Sequence, residues 1–214
     1  GNVKAMLNQR EHMPYKGISA DATNQAWKML LESKDDLENA QSFRFDLVDV
    51  ARQSMSAIFA NIAQNEFVPS IKAKNTSAAQ TAANKLLDLI GDFDTLLNTN
   101  ENFMLGPWIQ WAREWGEGQG EEVGNWYEFN ARNQLTLWGP DGNINDYARK
   151  AWGGLVQDYY LHRWKYFVEL QIKSISDGKE FDSKAYEATM LSFGQNWSNK
   201  TQPIFPTSPV GDTI

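Results

Sequence analysis

Apolar residues recur three and four positions apart along most of the chain, which is the spacing of one face of an α-helix. The stretch 27–31 begins this pattern, and 43–62 continues it over about twenty residues. A second long run, 78–98, follows Asn75, Thr76 and Ser77, whose side-chain oxygens suit the N-cap of a helix. The first half of the chain therefore predicts amphipathic helices.

Glycine and proline mark the next helix boundaries. Gly106-Pro107 predicts the start of a new helix, because proline fits the first helical turn, and the glycine-rich stretch 116–120 predicts its end. A further helix is expected over about 121–135. The stretch 138–143 then combines two glycines, a proline and an Asp-Gly step, which is typical of a turn.

The last third of the chain predicts two more helices and a tail. Asn145 or Asp146 is expected to cap a helix that continues to about 175, with a bend near His162 because about thirty residues exceed the usual helix length. Asp182 is expected to cap a last amphipathic helix. From 201 onward, prolines recur every third residue, which predicts an extended segment.

No segment of useful length alternates apolar and polar residues with the period of a half-buried strand. We therefore predict an all-α fold, a single bundle of about seven or eight helices. A chain of 214 residues is long enough to bury its own core as one domain spanning 1–214. Within it, 1–20 is expected to be an N-terminal lead-in and 201–214 an extended C-terminal tail.

Charge and composition exclude several classes of function. With 20 Lys+Arg against 27 Asp+Glu, the net charge is -7, so the chain has no basic field for nucleic acid or an anionic membrane surface. It has no cysteine and only two histidines, which removes thiolate sites and His-rich metal sites. No apolar run approaches the length of a membrane span. We expect no metal, no cofactor, no nucleic-acid partner and no membrane span.

The residue types that usually carry chemistry form no recognisable catalytic motif. The sequence lacks a phosphate-binding loop, a serine nucleophile elbow and the zinc-binding helix motif. Spacing alone nominates no catalytic pair among its acids. The nine tryptophans are more informative, since sugar-binding proteins use indoles as flat platforms. At Trp111, Trp152 and Trp164, which follow helical spacing, the favoured interpretation is that they fill gaps between helices.

Trp138 differs from those three tryptophans, because it lies in a turn where helical spacing demands no apolar residue. Loops held by a rigid scaffold often carry binding residues. A loop tryptophan also anchors its own loop by folding back onto the core. Spacing alone favours neither interpretation.

The region around Trp138 also resembles a known family. The stretch 130–144, followed by Asp146-Tyr147, resembles the signature of the α-N-acetylglucosaminidases of glycoside hydrolase family 89. Its core is the run Gln134-Leu135-Thr136-Leu137-Trp138-Gly139-Pro140. The shorter stretches 26–31, 43–53, 105–108, 159–164 and 211–213 look like that family too. The similarity covers most of the chain from about residue 25 onward.

This resemblance implies that the chain is the all-helical C-terminal domain of a bacterial-type enzyme that removes terminal α-linked N-acetylglucosamine with retention. In the family, the two catalytic glutamates lie on a (β/α)-barrel domain, and neither of their motifs occurs in this chain. The resemblance therefore implies that no catalytic residue lies here, that the chain alone is inactive and that its partner is the barrel. It further implies that Trp138 forms one wall of the sugar pocket, flanked by Arg132 and Tyr147, which either support the loop or hydrogen-bond the sugar.

Two other functions stay open from the sequence. A free-standing carbohydrate-binding module would expose coplanar tryptophans, and a purely structural interaction domain would expose an apolar patch where its partner docks. Because the chain begins at Gly1 with no leader pattern, we expect it to be a piece of a longer protein. That protein is expected to be periplasmic or extracellular and to act on mucin-type glycans or glycosaminoglycans.

Overall fold

The computed structural model describes residues 20–212, which form helices joined by short connections. The helices are α1 (Ala20–Glu32), α2 (Lys34–Leu37), α3 (Gln41–Ile62), α4 (Val68–Lys72), α5 (Thr76–Leu97), α6 (Leu105–Glu114), α7 (Glu121–Leu135), α8 (Leu161–Ser176) and α9 (Ser183–Ser198). Single π-helical segments, Ala63–Phe67 and Val156–Tyr160, lead into α4 and α8, and a short 3-10 helix covers Glu101–Phe103.

The prediction of an all-α bundle is confirmed. Seven of the described helices have at least ten residues. Residues 20–212 contain no β-strand, and their one β-type pairing is an isolated bridge between Met104 and Gly153. The predicted lead-in, 1–20, lies outside the described residues except for Ala20, which begins α1. Over the same range, none of the helices combines the length and apolar character that a membrane span requires.

Three buried clusters hold the bundle together. The first joins α3 and its π-helical segment to α5 and α8, around Phe67, Leu86 and Phe167. The second joins α6, α7 and α9 to the C-terminal tail. A smaller third cluster, including Val48, Leu97 and Val156, lies between the two halves. The second cluster positions the functional site, because its residues continue directly into the loop that follows α7.

Helix caps that depend on nearby residues agree with the predictions. The Asn75 side chain accepts a hydrogen bond from the Ala78 N–H at 3.0 Å and so caps α5. The Asp182 carboxylate accepts from the N–H groups of Lys184 and Ala185 at the start of α9. In each case one side-chain oxygen satisfies backbone donors that the first helical turn leaves without partners.

The prediction of a helix capped by Asn145 or Asp146 is wrong. Residues 141–152 form turns and irregular backbone, and Asp146 lies in the left-handed region with a φ of 59°. Helical structure begins only at Leu155 and Val156, where Asp94 of α5 takes the capping role. The Asp94 carboxylate accepts from the Gly154 and Gln157 N–H groups at 2.8 and 2.9 Å. The π-helical segment Val156–Tyr160 leads directly into α8, and the bend near His162 stays a prediction.

The C-terminal tail is extended, as predicted, and lies across α6. Phe205 is buried in the second cluster, and the Val210 N–H donates to the Asn98 carbonyl at 2.8 Å. Gly106 permits this close crossing, since a Cβ at that position would lie 1.8 Å from the Pro206 carbonyl oxygen. A single absent side chain therefore decides how closely the tail approaches the bundle.

We predict that Gly106→Ala lowers the free energy of unfolding by about 1–3 kcal/mol, because the added methyl group must push the tail away from α6. Gly91→Ala is the matched control. Gly91 lies inside α5, and apart from the adjoining backbone no heavy atom lies within 4 Å of the new Cβ, so alanine is expected to raise stability by about 0.5–1 kcal/mol. Urea unfolding measures both changes, and equal stability of the Gly106 variant and the parent chain would contradict the described crossing.

Candidate functional site

The loop 136–149 carries Trp138 and is fastened to the end of α7. The Trp138 N–H donates to the Asn133 carbonyl at 2.8 Å. The Asn133 side chain then holds both polar groups of Gly139, accepting from its N–H at 2.7 Å and donating to its carbonyl at 3.2 Å. Asn133 was not predicted as a functional residue, although an asparagine in the last helical turn before a glycine is a recognisable signal for such a contact.

Trp138 adopts a backbone conformation that bulky residues avoid. Its φ is +54°, in the left-handed region, where the Cβ approaches the following carbonyl oxygen. Such a conformation costs about 1–3 kcal/mol and persists only where surrounding contacts enforce it. Here the two-sided hydrogen bonding from Asn133 provides part of that enforcement. The strained backbone turns the indole outward, and 37% of the residue is exposed.

Tyr147, near the end of the loop, lies beside Trp138. The two rings meet edge to face with their centroids 5.2 Å apart, and Tyr147 is 67% exposed. Edge-to-face pairing places the positive edge of one ring against the negative face of the other. The predicted neighbours Trp138 and Tyr147 therefore form one aromatic pair on the surface of the domain.

A buried ion pair holds this loop from below. Arg163 of α8 donates from Nη1 to both carboxylate oxygens of Asp146, at 2.8 and 2.9 Å. Burial of the guanidinium opposes its charge, but the adjacent Asp146 carboxylate outweighs that effect and raises the pKa of Arg163. The Asp146 N–H also donates to the Thr136 carbonyl at 2.6 Å, which closes the loop at its base.

Tyrosines of the π-helical segment surround the same ion pair. The Arg163 guanidinium lies 5.1 Å from the centroid of the Tyr159 ring and 5.7 Å from that of Tyr160. Burial raises the pKa of Tyr159 to about 12, so its phenol stays neutral throughout the physiological range. The loop base is thus a desolvated cluster in which Asp146 and Arg163 are the charged pair.

Helix α9 supports the other side of the loop. Gln195 donates to the Pro140 carbonyl at 3.0 Å. Gly194 allows Leu137 to pack directly on the helix, because a Cβ there would lie 2.7 Å from a Leu137 methyl carbon. The loop that carries Trp138 is therefore held by α7, α8 and α9 together.

Arg132 does not share the surface of the aromatic pair. Its residue is fully buried, and its guanidinium lies 4.7 Å from the Trp197 ring centroid and 5.1 Å from that of Phe205. Nε donates to Glu128 Oε1 at 2.8 Å, while Arg113 donates to Glu128 Oε2 at 2.6 Å. The structure therefore brings Trp138 and Tyr147 together and places the Arg132 side chain in the core beneath the tail.

A groove next to Trp138 exposes further tryptophans. We call it the aromatic groove; it has a volume of about 560 Å³ and is lined by Trp108, Trp111, Ala112, Trp115, Tyr127, Asn130, Ala131, Asn133, Gln134 and Trp138. Trp111 is 59% exposed and Trp115 is 74% exposed. Trp138 closes one part of this groove, so the aromatic pair and the groove form a continuous surface.

The prediction that Trp111 fills a gap between helices is wrong. Its position on the helical repeat of α6 is correct, but the neighbouring helix α7 leaves its indole facing the groove instead of covering it. Trp164 does pack inside, against Phe59 at 4.8 Å and Phe167 at 5.7 Å between ring centroids. Trp152 is likewise half-buried, with its ring 5.9 Å from that of Trp108.

A larger groove of about 1010 Å³ lies between the connection 116–120 and the tail. Its lining includes Glu128, whose carboxylate is held between Arg113 and Arg132. The oxygens of a carboxylate that bonds two arginines are occupied, which suits support of the fold more than proton transfer. Throughout residues 20–212, His, Asp and Glu side chains form no group of three or more that is placed to hold a metal ion.

Comparison with known proteins identifies the family of the chain. A family model described as the alpha-N-acetylglucosaminidase (NAGLU) C-terminal domain matches residues 2–214. The chain belongs to the α-N-acetylglucosaminidase C-terminal domain family. The resemblance carried by the loop sequence is therefore confirmed.

A curated relative agrees with membership in this C-terminal domain family. The human alpha-N-acetylglucosaminidase is 34% identical over 193 residues, which cover 89% of this chain and 25% of that protein. The chain thus spans about a quarter of the length of the curated relative that it matches. This proportion agrees with its being one domain of an enzyme of that kind.

Solved structures of family 89 glycoside hydrolases from Clostridium perfringens share the fold. One, in complex with PUGNAc, has a TM-score of 0.80 at 24% identity and covers 92% of this chain and 22% of its own. Another, a double Glu→Gln variant in complex with its substrate GlcNAc-α-1,4-galactose, has a TM-score of 0.82 at 23% identity, covering 98% and 25%. The helical architecture of this C-terminal domain family is therefore common to both.

We predict that Asp146→Asn lowers the free energy of unfolding by about 3–5 kcal/mol, because it leaves the Arg163 charge buried without its partner. Asp177→Asn is the matched control, since the Lys173–Asp177 pair lies on the surface and its loss is expected to leave the unfolding midpoint unchanged. Denaturant unfolding followed by tryptophan fluorescence measures both variants. If Asp146→Asn unfolds like the parent chain, Arg163 does not hold the loop as described.

Proposed function

We propose that the chain serves a retaining α-N-acetylglucosaminidase as its C-terminal helical domain, and that it completes one wall of the pocket for terminal α-linked N-acetylglucosamine. The catalytic partner is a (β/α)-barrel domain of the same enzyme. The observation that carries the proposal is the exposed Trp138–Tyr147 pair, held on a strained loop by three helices. Holding partly exposed aromatic rings on a strained backbone has a conformational cost, and a binding role accounts for that cost.

The chemistry of the aromatic pair suits an acetamido sugar. The indole face carries partial negative charge, which attracts the polarised C–H groups on one face of a pyranose ring and the acetamido methyl group. The Tyr147 hydroxyl adds a hydrogen-bonding group at the edge of the same surface. In this proposal Trp138 and Tyr147 contact the sugar, whereas Arg132 supports the domain from the core.

Catalytic carboxyls are assigned to the barrel. Retention requires two carboxyl groups about 5–5.5 Å apart, one as the nucleophile and one as the acid/base. None of the residues that line the aromatic groove carries a carboxyl group, and Glu128 in the neighbouring groove is occupied by two arginines. The domain therefore contributes a binding surface. That surface orients the sugar against the catalytic groups that the barrel supplies.

We further propose a bacterial enzyme that acts in the periplasm or outside the cell. Its substrates in this proposal are glycan chains with α-linked N-acetylglucosamine ends. Polymeric glycans do not cross a membrane unaided. An enzyme that removes sugars from their ends therefore acts in the compartment that contains the glycans.

The purified 214-residue chain is predicted to show no turnover of an aryl α-N-acetylglucosaminide, even at high protein concentration. The reason is that general acid and nucleophilic catalysis both require carboxyls positioned at the bond to be broken. Release of the aryl group, followed by absorbance, measures this. Turnover that rises in proportion to the chain, and that persists through further purification, would place catalytic carboxyls within the chain and contradict the proposal.

In the barrel-containing enzyme, Trp138→Ala is predicted to lower kcat/KM for the same substrate by roughly ten- to hundredfold. This corresponds to about 1.5–3 kcal/mol of lost aromatic burial against the sugar. Trp126→Ala is the matched control, because Trp126 is a 59% exposed tryptophan of α7 that does not line the aromatic groove. An unchanged kcat/KM in the Trp138 variant would mean that Trp138 only anchors its loop.

A further inference from the structure

The aromatic groove extends well beyond the two rings that the proposed function uses. From Trp138 it continues to Trp111 of α6 and to Trp115, the C-cap residue that follows α6, and these two residues are four positions apart. Residues at that spacing lie about 6 Å apart along a helix axis, on the same side. A contiguous exposed aromatic surface of this kind marks a binding site, because isolated apolar residues are common on a surface whereas large patches are not.

We propose that the aromatic groove binds a neutral oligosaccharide, with Trp111 and Trp115 contacting sugar rings that follow the residue held at Trp138. The identification of this oligosaccharide as the remainder of the enzyme's substrate rests on the proposed function. The binding itself does not, because every residue of the groove belongs to this chain.

The lining of the groove matches the two surfaces of a sugar. Trp111 and Trp115 are 59% and 74% exposed, and indole rings attract the C–H side of a pyranose and lose unfavourable contact with water when covered. Across the groove, Asn130 and Gln134 of α7 are also one turn apart. The Asn130 amide nitrogen donates one hydrogen bond to the Trp126 carbonyl at 2.7 Å, and the remaining donors and acceptors of the two amides suit the hydroxyl groups on the rim of the same sugar rings.

Charge decides between classes of glycan. None of the ten groove residues is charged, although the chain has 20 Lys+Arg to draw on. Sulfate and carboxylate groups are recognised by Arg and Lys, and an anionic ligand would leave its charges unpaired in this groove. The net charge of -7 adds repulsion at longer range. The groove therefore selects neutral glycans, such as those of mucin type, over sulfated glycosaminoglycans.

The direct test is titration of the purified 214-residue chain with two probes of equal length. One is a neutral oligosaccharide that ends in GlcNAc-α-1,4-galactose, and the other is a heparan sulfate oligosaccharide. Tryptophan fluorescence and calorimetry report binding. The neutral probe is expected to bind, and the sulfated probe is expected to bind at least tenfold more weakly at physiological ionic strength.

Variants assign the binding to the groove. Trp111→Ala and Trp115→Ala are each expected to weaken binding of the neutral probe about tenfold, with Trp115→Phe retaining part of it. Trp126→Ala, an equally exposed tryptophan outside the groove, is the control and is expected to bind as the parent chain does. Absence of binding to the neutral probe, equal binding of the sulfated probe, or equal loss in the control would each overturn the proposal.

A second measurement separates sugar binding from docking of another surface on the groove. In the barrel-containing enzyme, Trp111→Ala and Trp115→Ala are expected to lower kcat/KM for the neutral oligosaccharide about tenfold relative to kcat/KM for an aryl α-N-acetylglucosaminide. An equal loss on both substrates would mean that the barrel covers the groove. If the purified chain dimerises and these variants abolish the dimer, a second copy of the chain covers the groove. Either result overturns the groove proposal, while the effect of Trp138→Ala on the aryl substrate tests the proposed function separately.

Discussion

The ion pair between Asp146 and Arg163 is the interaction on which the functional surface depends. Both side chains are almost fully buried, and together they join the loop after α7 to the first turn of α8. Moving the loop away would leave the Arg163 charge buried without the Asp146 carboxylate, so displacement of the loop is costly. The segment that this ion pair holds carries the ring pair of Trp138 and Tyr147.

The backbone strain at Trp138 follows from the same ion pair. With Asp146 fixed to Arg163 and to the Thr136 carbonyl, the residues between 136 and 146 must turn within a short span. Asn133 completes the turn by bonding both polar groups of Gly139, which leaves Trp138 in the left-handed region. The conformational cost falls on Trp138 alone, whereas the contacts that enforce its left-handed conformation come from α7, α8 and α9. This division explains how one side chain is held outward against its own conformational preference.

Sequence patterns predicted features that depend on neighbours along the chain. The all-α class, the α7 boundaries and the caps at Asn75 and Asp182 all follow from helical spacing and from side chains within four residues. The cap at the start of the π-helical segment comes instead from Asp94, about sixty positions earlier, and no local pattern encodes such a partner. Trp111 shows the same limit, since its helical register was correct but its exposure depends on where α7 packs.

Helix α7 carries its paired charged residues on one side and uncharged groove residues on the other. Glu128 and Arg132, four residues apart, face the core beneath the tail, where the Glu128 carboxylate pairs with both Arg132 and Arg113. Asn130 and Gln134, also four apart, face the aromatic groove with amides alone. Because helix geometry separates these two rows by a fixed rotation, one helix keeps its ion pairs out of a surface lined by indoles. A ligand at that surface meets ring faces and neutral hydrogen-bonding groups, which is the environment that an uncharged sugar chain requires.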